Sequence, residues 1–131
     1  MCKILVIEGE KNIRFLLAEY LRGTKNEVVV TNDGNDGLHQ LQAEKFDVMF
    51  LDLTLSDVDV LDFLRRSKAL SPALDIVMMS TFSTKEMLKD AAALGVTHFL
   101  EKPFTTEEVH RILHDVLHKS EKGVTSVSLN L

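Results

Sequence analysis

The fold is decided by a short apolar run that ends in a lone carboxylate, Val48-Met49-Phe50-Leu51-Asp52-Leu53. A run this short, containing Val and Phe, is typical of a fully buried strand of a parallel sheet. In open α/β sheets, ligands and chemistry collect at the carboxyl ends of the strands, where loops surround a crevice. Asp52 stands at that end of the strand and is therefore our first candidate reactive residue.

Four more short apolar runs predict further strands, and five amphipathic segments alternate with the five runs. The runs are Lys3 to Ile7, Val28 to Val30, Ile76 to Met79 and Thr97 to Leu100. This alternation predicts an α/β fold, a single doubly wound five-stranded parallel sheet of flavodoxin-like topology with helices on both faces. We expect residues 1–119 to form one (βα)5 domain and residues 120–131, which lose the periodicity, to be a tail or linker.

The helical segments carry apolar residues at the spacing of one buried face. In the first helix these are Ile13, Leu16, Leu17, Tyr20 and Leu21, followed by Gly23 as a stop; in the last they are Val109, Ile112, Leu113, Val116 and Leu117. Thr84 is predicted to cap the fourth helix, and Thr105 or Thr106 the fifth. Ser71-Pro72 and Gly95 predict the ends of the third and fourth helices.

Length, charge and cysteine content narrow the class of protein. The 131 residues suit one domain, and 20 acidic against 15 basic side chains give a formal net charge of -5. An acidic balance without a basic cluster argues against direct binding to nucleic acid or to anionic membranes. Cys2 is the only cysteine, which suits a reducing compartment, and the N-terminal apolar run is too short for a signal peptide or membrane span. We therefore expect a cytoplasmic protein.

Polar groups follow four of the five predicted strands: Glu8 and Glu10, then Asp52, then Ser80 and Thr81, then Lys102. Parallel strands share one carboxyl edge, so the topology predicts that these groups converge. Carboxylates supply oxygens for Mg²⁺, and a hydroxyl and an ammonium can donate to phosphoryl oxygens. The pattern predicts a site for a divalent cation and a phosphoryl group.

Four motifs in this chain resemble the receiver domain of two-component response regulators. They are KILVIE at 3–8, FLDL at 50–53, VMMS at 77–80 and FLEKPF at 99–104. The resemblance extends from Lys3 to about His118. It implies a phosphoacceptor in phosphorelay signal transduction, capable at most of self-catalysed phosphotransfer and dephosphorylation, and not a turnover enzyme.

The resemblance also implies roles for individual residues. Asp52 matches the phosphoacceptor, which takes a phosphoryl group from a phosphohistidine of a sensor histidine kinase or phosphotransfer protein. Glu8, Asp52 and the backbone carbonyl of Thr54 match the ligands of the Mg²⁺ cofactor. Ser80 and Lys102 match the hydroxyl and the ammonium that bind phosphoryl oxygens.

A conformational switch is implied in the same way. Phe99 matches the aromatic residue that moves inward together with the Ser80 hydroxyl, which changes the surface of the fourth helix, fifth strand and fifth helix. The resemblance implies a homodimer through that surface and an output domain or partner protein that reads it. The Lys102-Pro103 bond is expected to be cis, a geometry that is accessible at low cost only before proline.

The chain departs from the family pattern at Gly9, where a second acidic Mg²⁺ ligand is usual. A missing carboxylate weakens the attraction for a hard cation. Glu8, one methylene longer than the usual Asp, or Glu10 can compensate. In the loop after the third strand, Ser56 replaces the usual Pro, and Val60 replaces a Gly common just before the third helix.

Two alternative functions remain open at this point. One is an atypical receiver that binds partner proteins without phosphorylation, for which Gly9 is the main argument. The other is a small flavodoxin-like cofactor protein, which needs a hydroxyl- and glycine-rich phosphate loop where Glu8-Gly9-Glu10 would repel a phosphate.

Three histidines of the last helix, His110, His114 and His118, recur at every fourth residue. This spacing can hold a transition metal, although a polar helical face is the ordinary explanation. Asp57 and Asp59 are interpreted as turn residues.

Overall fold

The chain forms one five-stranded parallel sheet with helices on both faces, as predicted. The computed structural model describes residues 2–22 and 25–118. The strands are β1 (Lys3–Ile7), β2 (Glu27–Thr31), β3 (Val48–Asp52), β4 (Asp75–Ser80) and β5 (Val96–Glu101). They lie in the order β2-β1-β3-β4-β5, and each neighbouring pair is parallel. The order reverses direction between β1 and β3, which is where doubly wound sheets open a crevice.

Five helices cover the sheet and divide the core into two layers. They are α1 (Lys11–Arg22), α2 (Gly34–Ala43), α3 (Val60–Leu70), α4 (Lys85–Ala93) and α5 (Thr106–Leu117). Phe50 packs in the cluster that includes α1 and α5 side chains, whereas Met49 and Leu51 pack in the cluster with α2, α3 and α4 side chains. All five residues of β3 are buried, as expected for a central strand covered on both faces.

The predicted caps and stops are found at the ends of α3, α4 and α5. The Thr84 hydroxyl accepts from Met87 N–H at 3.1 Å, and Thr105, rather than Thr106, caps α5 in a capping box with Glu108. Ser71 is the C-cap of α3. Gly95 follows α4 with φ of 108°, a conformation that L side chains rarely adopt.

The buried faces predicted for α1 and α5 include residues that are exposed in the structure. Leu16 and Leu117 were expected inside, but each is 41% exposed. In α1, Leu17 and Leu21 are buried as predicted, and Ala18, which was not predicted, is buried beside them. The predicted stop at Gly23 and the tail at residues 120–131 lie outside the described residues and stay predictions. Among the helices that the structure describes, none has the length and apolarity needed to cross a membrane.

Candidate functional site

The carboxyl edge of the sheet brings together four of the predicted site residues. Asp52 is the last residue of β3, and Ser80 is the last of β4. Glu8 and Lys102 directly follow β1 and β5. All four are buried, with exposed fractions of 0% for Glu8, 2% for Asp52 and 8% for Ser80 and Lys102. Burial of this many charged and polar groups requires that they satisfy one another.

Lys102 joins the two buried carboxylates. Its Nζ lies 2.8 Å from Glu8 Oε1 and 3.3 Å from Asp52 Oδ1. The lysine is held by its main chain, since Lys102 N–H donates to the Ser80 carbonyl at 2.8 Å. The Lys102-Pro103 bond is cis, as the resemblance implies. Two carboxylates and one ammonium leave the site with one negative charge in excess when all three are ionised.

Asp52 is held chiefly through one oxygen. Thr54 donates to Oδ1 from its N–H at 2.9 Å and from its hydroxyl at 2.8 Å, whereas Oδ2 receives only a 3.3 Å bond from Gly9 N–H. Burial by itself would raise the pKa of Asp52, but the Thr54 donors, Glu8 and the nearby Lys102 charge outweigh it and hold the pKa below its ordinary value. Asp52 is therefore an ionised carboxylate with one lightly bonded oxygen.

Glu8 differs from Asp52 in its surroundings. Its Oε2 accepts from Glu10 N–H at 3.0 Å. Burial raises the pKa of Glu8, against the lowering effects of Lys102 and of the Glu10 N–H. In the described part of the chain, Glu8 Oε1 is the one fully buried side-chain oxygen or nitrogen that has no hydrogen-bond partner, although the Lys102 ammonium lies beside it. Such an oxygen has a lone pair available for a cation.

The carboxylate pair fits a magnesium ion of the kind that keeps several waters. Mg²⁺ is usually bound by one or two protein carboxylates, with water and phosphate oxygens completing its octahedron. Glu8 and Asp52 supply two, and the described residues contain no group of three or more His, Cys, Asp or Glu side chains that could hold a metal. Glu10 is exposed, and its observed contact with Glu8 is made by its main chain. Its predicted role as a compensating ligand stays a prediction.

Gly9 leaves free space beside the phosphoacceptor candidate. A Cβ at this position would lie 3.7 Å from Asp52 Oδ2 and 3.9 Å from both the Asn32 carbonyl oxygen and Leu55 Cδ2. These are ordinary van der Waals distances, so a Cβ atom would be accommodated. The missing acidic ligand is therefore a feature of this sequence and not a steric requirement of its fold.

Three contacts around the site were not found from the sequence. Arg14 donates from Nη1 to the Glu8 carbonyl at 2.8 Å and to the Gly9 carbonyl at 3.4 Å. The Thr54 hydroxyl holds Asp52. Asp57 accepts from the first two N–H groups of α2, those of Gly34 and Asn35, both at 2.9 Å. The sequence indicates for Arg14 only that it lies in the first turn of the helix that follows the acidic loop.

Asp57 and Asp59, which the sequence analysis interpreted as turn residues, cap the N-termini of two helices. Asp57 caps α2 from a different loop, and Asp59 is the N-cap of α3, where it accepts from Asp62 N–H at 3.0 Å. Both carboxylates satisfy backbone donors that a helix leaves unpaired in its first turn. The loop is therefore fixed at two points, even with Ser56 in place of proline.

An apolar groove borders the site on the α1 side. Its volume is about 260 Å³. It is lined by Ile13, Leu16, Thr81, Lys102, Pro103 and Phe104. Leu16, which lines the groove, is 41% exposed, and Phe82, which follows Thr81 in the chain, is 80% exposed. Exposed apolar side chains beside an apolar groove are typical of an interaction surface.

Comparison with known proteins agrees with this geometry. A family model described as the response regulator receiver domain matches residues 4–114. The chain is 31% identical over 121 residues to the transcriptional regulatory protein ZraR of Salmonella typhimurium, which covers 92% of this chain and 27% of that protein. It is 27% identical over 108 residues to the sporulation initiation phosphotransferase F of Bacillus subtilis, and the match covers 82% of this chain and 86% of that protein.

A solved structure supports the same assignment. The chemotaxis protein CheY4 of Vibrio cholerae superposes with a TM-score of 0.83 at 27% identity, covering 88% of this chain and 98% of that one. The chain spans about a quarter of the length of ZraR and about half that of the Bacillus subtilis regulator PhoP, at 27% and 52%. Because the family model matches most of its residues and the fold agrees, this chain belongs to the response regulator receiver domains of two-component systems.

Proposed function

We propose that Asp52 is the phosphoacceptor of this receiver domain. The observation that carries the proposal is a buried carboxylate with a lowered pKa, at the end of the central strand, 3.3 Å from the Lys102 ammonium. A carboxylate must be ionised to act as a nucleophile, and it must have a neighbouring cation to stabilise charge that develops on the transferred group. Asp52 meets both requirements.

The reaction would be an in-line displacement at phosphorus. An Asp52 oxygen forms the new P–O bond while the P–N bond of the donor phosphohistidine breaks, and the imidazole leaves with its electron pair. Lys102 and the Ser80 hydroxyl donate to the phosphoryl oxygens. Bound Mg²⁺, held by Glu8, Asp52 and the Thr54 carbonyl, would supply further neutralisation of their charge.

The response to phosphorylation would begin on β4 and β5. Met78 pairs with Phe99 and Ser80 pairs with Glu101. Ser80 and Phe99 therefore lie on adjacent strands, two residue pairs apart along the sheet. Phe99 is half-buried and packs against the core layer that includes α3 and α4 side chains. This arrangement supports a switch of the α4-β5-α5 surface, read by an output domain, a partner protein or a second copy of the chain.

The phosphoryl donor is proposed to be a sensor histidine kinase or a phosphotransfer protein. A protein donor must cover the sheet edge to bring its histidine to Asp52. The apolar groove next to Lys102, with Leu16 and Phe82 exposed near it, offers a contact surface at that place. An apolar patch beside a buried charged site favours a docked protein over a free small molecule. A cytoplasmic location stays a prediction of the sequence.

Intact mass measurement tests the proposal. The chain is incubated with acetyl phosphate and Mg²⁺, with a receiver of known activity labelled in parallel. We expect the mass of one phosphoryl group to be added to the wild type and none to Asp52→Asn, which keeps the side-chain size but loses the nucleophile. An unmodified wild-type mass beside a labelled reference would overturn the phosphoacceptor role.

That negative result would favour the second candidate, an atypical receiver that acts through protein contacts alone. The observation in its favour is Gly9, which leaves the cation site with two carboxylates. In that case Asp52 and Lys102 would serve only to hold the loops at the sheet edge.

A further inference from the structure

The loop between β3 and α3, residues 53–59, contacts Asp52 at one end and helix α2 near the other. At its start, Thr54 donates to Asp52 Oδ1 from its N–H at 2.9 Å and from its hydroxyl at 2.8 Å. Toward its end, the Asp57 carboxylate accepts from the first two N–H groups of α2, both at 2.9 Å. The β3–α3 loop therefore connects the phosphoacceptor candidate to the start of α2.

The fit between this loop and α2 depends on a glycine. Val58 packs against the core layer that includes α2 and α3 side chains. A Cβ at Gly34, the first residue of α2, would lie 2.6 Å from both Cγ atoms of Val58, which is closer than real contacts allow. Gly34 thus lets Val58 lie against the start of α2, next in the chain to the Asp57 carboxylate. We call these polar and apolar contacts together the Asp57–Val58 clamp.

We propose that Asp57 is a positioning residue for the phosphoacceptor site. The three residue steps from Thr54 to Asp57 span at most about 11 Å, so a fixed Asp57 limits where Thr54 can lie. Thr54 supplies both donors to Asp52 Oδ1, whereas Oδ2 receives a single bond of 3.3 Å. Asp57 touches neither the phosphoryl group nor its donor, and it acts on Asp52 through Thr54.

The stretch between the two contact points has one further anchor. Leu55 is buried in the same core layer as Val58, which holds that residue against the sheet. Ser56 is exposed and makes no hydrogen bond to another residue of the described part of the chain. A serine also leaves φ free where a proline would fix it. The conformation of the loop beyond Leu55 is therefore set mainly by the Asp57–Val58 clamp.

Asp33 offers a matched control, because it caps the same helix without touching the β3–α3 loop. Its side chain accepts from Asp36 N–H at 2.8 Å and it precedes α2 directly in the chain. Asp33→Ala and Asp57→Ala each remove one carboxylate and one cap of α2. The two variants differ in one respect, since Asp57→Ala alone releases the loop that carries Thr54.

Amide hydrogen exchange, followed by NMR on the full 131-residue chain, tests the positioning role without phosphate or metal. We expect Asp57→Ala to lower the protection of the Thr54 amide by about two- to five-fold, because an exposed carboxylate cap contributes modestly to local stability. Gly34→Ala, which displaces Val58 but keeps the Asp57 carboxylate, should lower it as well. Asp33→Ala should leave it near the wild-type value. Unchanged Thr54 protection in Asp57→Ala, or an equal loss in Asp33→Ala, would overturn the proposal.

The same variants are then labelled with acetyl phosphate, and this step rests on the proposed function. We expect Asp57→Ala to be labelled about two- to five-fold more slowly than Asp33→Ala, in proportion to its lost Thr54 protection. An unlabelled wild type together with lowered Thr54 protection in Asp57→Ala would overturn the phosphoacceptor role alone. A labelled wild type together with unchanged protection in that variant would overturn the positioning role alone.

Discussion

Lys102 lies closer to Glu8 than to the phosphoacceptor candidate: its ammonium is 2.8 Å from Glu8 and 3.3 Å from Asp52. One cation thus compensates two buried carboxylates, and the longer glutamate side chain takes the nearer position. The consequences of this sharing can be measured.

Replacing Lys102 by Met should destabilise the fold in a pH-dependent way. Removing one partner of a buried ion pair costs roughly 3 kcal/mol, because the remaining charges are left uncompensated. In the variant the buried Glu8 carboxyl, whose pKa burial already raises, loses its nearest cation and prefers protonation when folded; a folded-state pKa above the unfolded value adds stability at low pH that is lost as pH rises. We therefore expect the deficit in urea unfolding to be largest at pH 7 and to shrink toward the ordinary glutamate value of 4.5. The exposed Lys89→Met serves as control, and a pH-independent deficit would contradict the shared-cation arrangement.

Replacing Gly9 by Asp should strengthen magnesium binding. The space at this position accepts a Cβ 3.7 Å from Asp52 Oδ2, so a new carboxylate would stand beside the existing pair. A third acidic ligand is expected to raise Mg²⁺ affinity by about ten-fold, or about 1.4 kcal/mol. Calorimetric titration measures the effect. Gly9→Asn matches the size without the charge and should leave affinity near wild type; equal gains in both variants would show that the carboxylate is not responsible.

Replacing Arg14 by Met should slow phosphorylation. Arg14 holds the carbonyls of Glu8 and Gly9, and Gly9 N–H in turn contacts Asp52. A hydrogen bond to a charged group contributes roughly 1.5–3 kcal/mol. If about 1.4 kcal/mol of this is lost in the transition state, the rate falls ten-fold. We expect the rate with acetyl phosphate to fall by about ten-fold and Arg14→Lys to restore part of it. Lys11→Met, an exposed cation on the same turn, is the control, and a matching loss in that variant would indicate a general charge effect.

Replacing Asp57 by Ala should destabilise α2, although Asp57 belongs to the loop after β3. Burial slightly opposes the charged form, but the N–H groups of Gly34 and Asn35 lower the pKa of Asp57 overall. A folded-state pKa below the unfolded value gives stability that is present above the ordinary aspartate value of 3.8 and lost as pH falls through the lowered one. Because the residue is exposed, we expect a loss of only about 0.5–1 kcal/mol at pH 7. Urea unfolding against Ser56→Ala measures it, and an undiminished loss at acid pH would exclude the charged cap as its cause.

Replacing Leu16 by Glu should separate a protein donor from a small-molecule donor. Leu16 is 41% exposed and lines the apolar groove beside Lys102. The donor is a radiolabelled sensor kinase that phosphorylates the wild type. A charge at position 16 should reduce phosphotransfer from this kinase by about ten-fold or more, because a buried unpaired charge opposes docking. Acetyl phosphate should still label the variant normally. Leu70→Glu, an exposed leucine at the end of α3, is the matched control; equal transfer to both variants would place the donor elsewhere.

Much of the site could be predicted from the sequence because the relevant patterns are local. A run of buried residues such as 48–51 defines a strand, and its end defines the position of Asp52. Convergence of Glu8, Ser80 and Lys102 then follows from parallel topology alone. The width of the α1 face could not be predicted in the same way, since Leu16 and Leu17 are equally apolar and only the packing of α1 against its neighbours distinguishes them.

The sequence by itself determined the alternation of strands and helices, the edge at which the polar groups meet, and the absence of an acidic side chain at position 9. Only the tertiary structure decided that Lys102 sits nearer Glu8 than Asp52, that Arg14 holds the acidic loop, that Asp57 caps a distant helix, and that the rings of His114 and His118 stack while His110 contacts the Tyr20 carbonyl. The reason is physical. Residue type and spacing fix local conformation and topology, whereas the choice among nearby hydrogen-bond and ionic partners depends on distances of a few tenths of an ångström to a few ångströms, set by the packing of helices on the sheet.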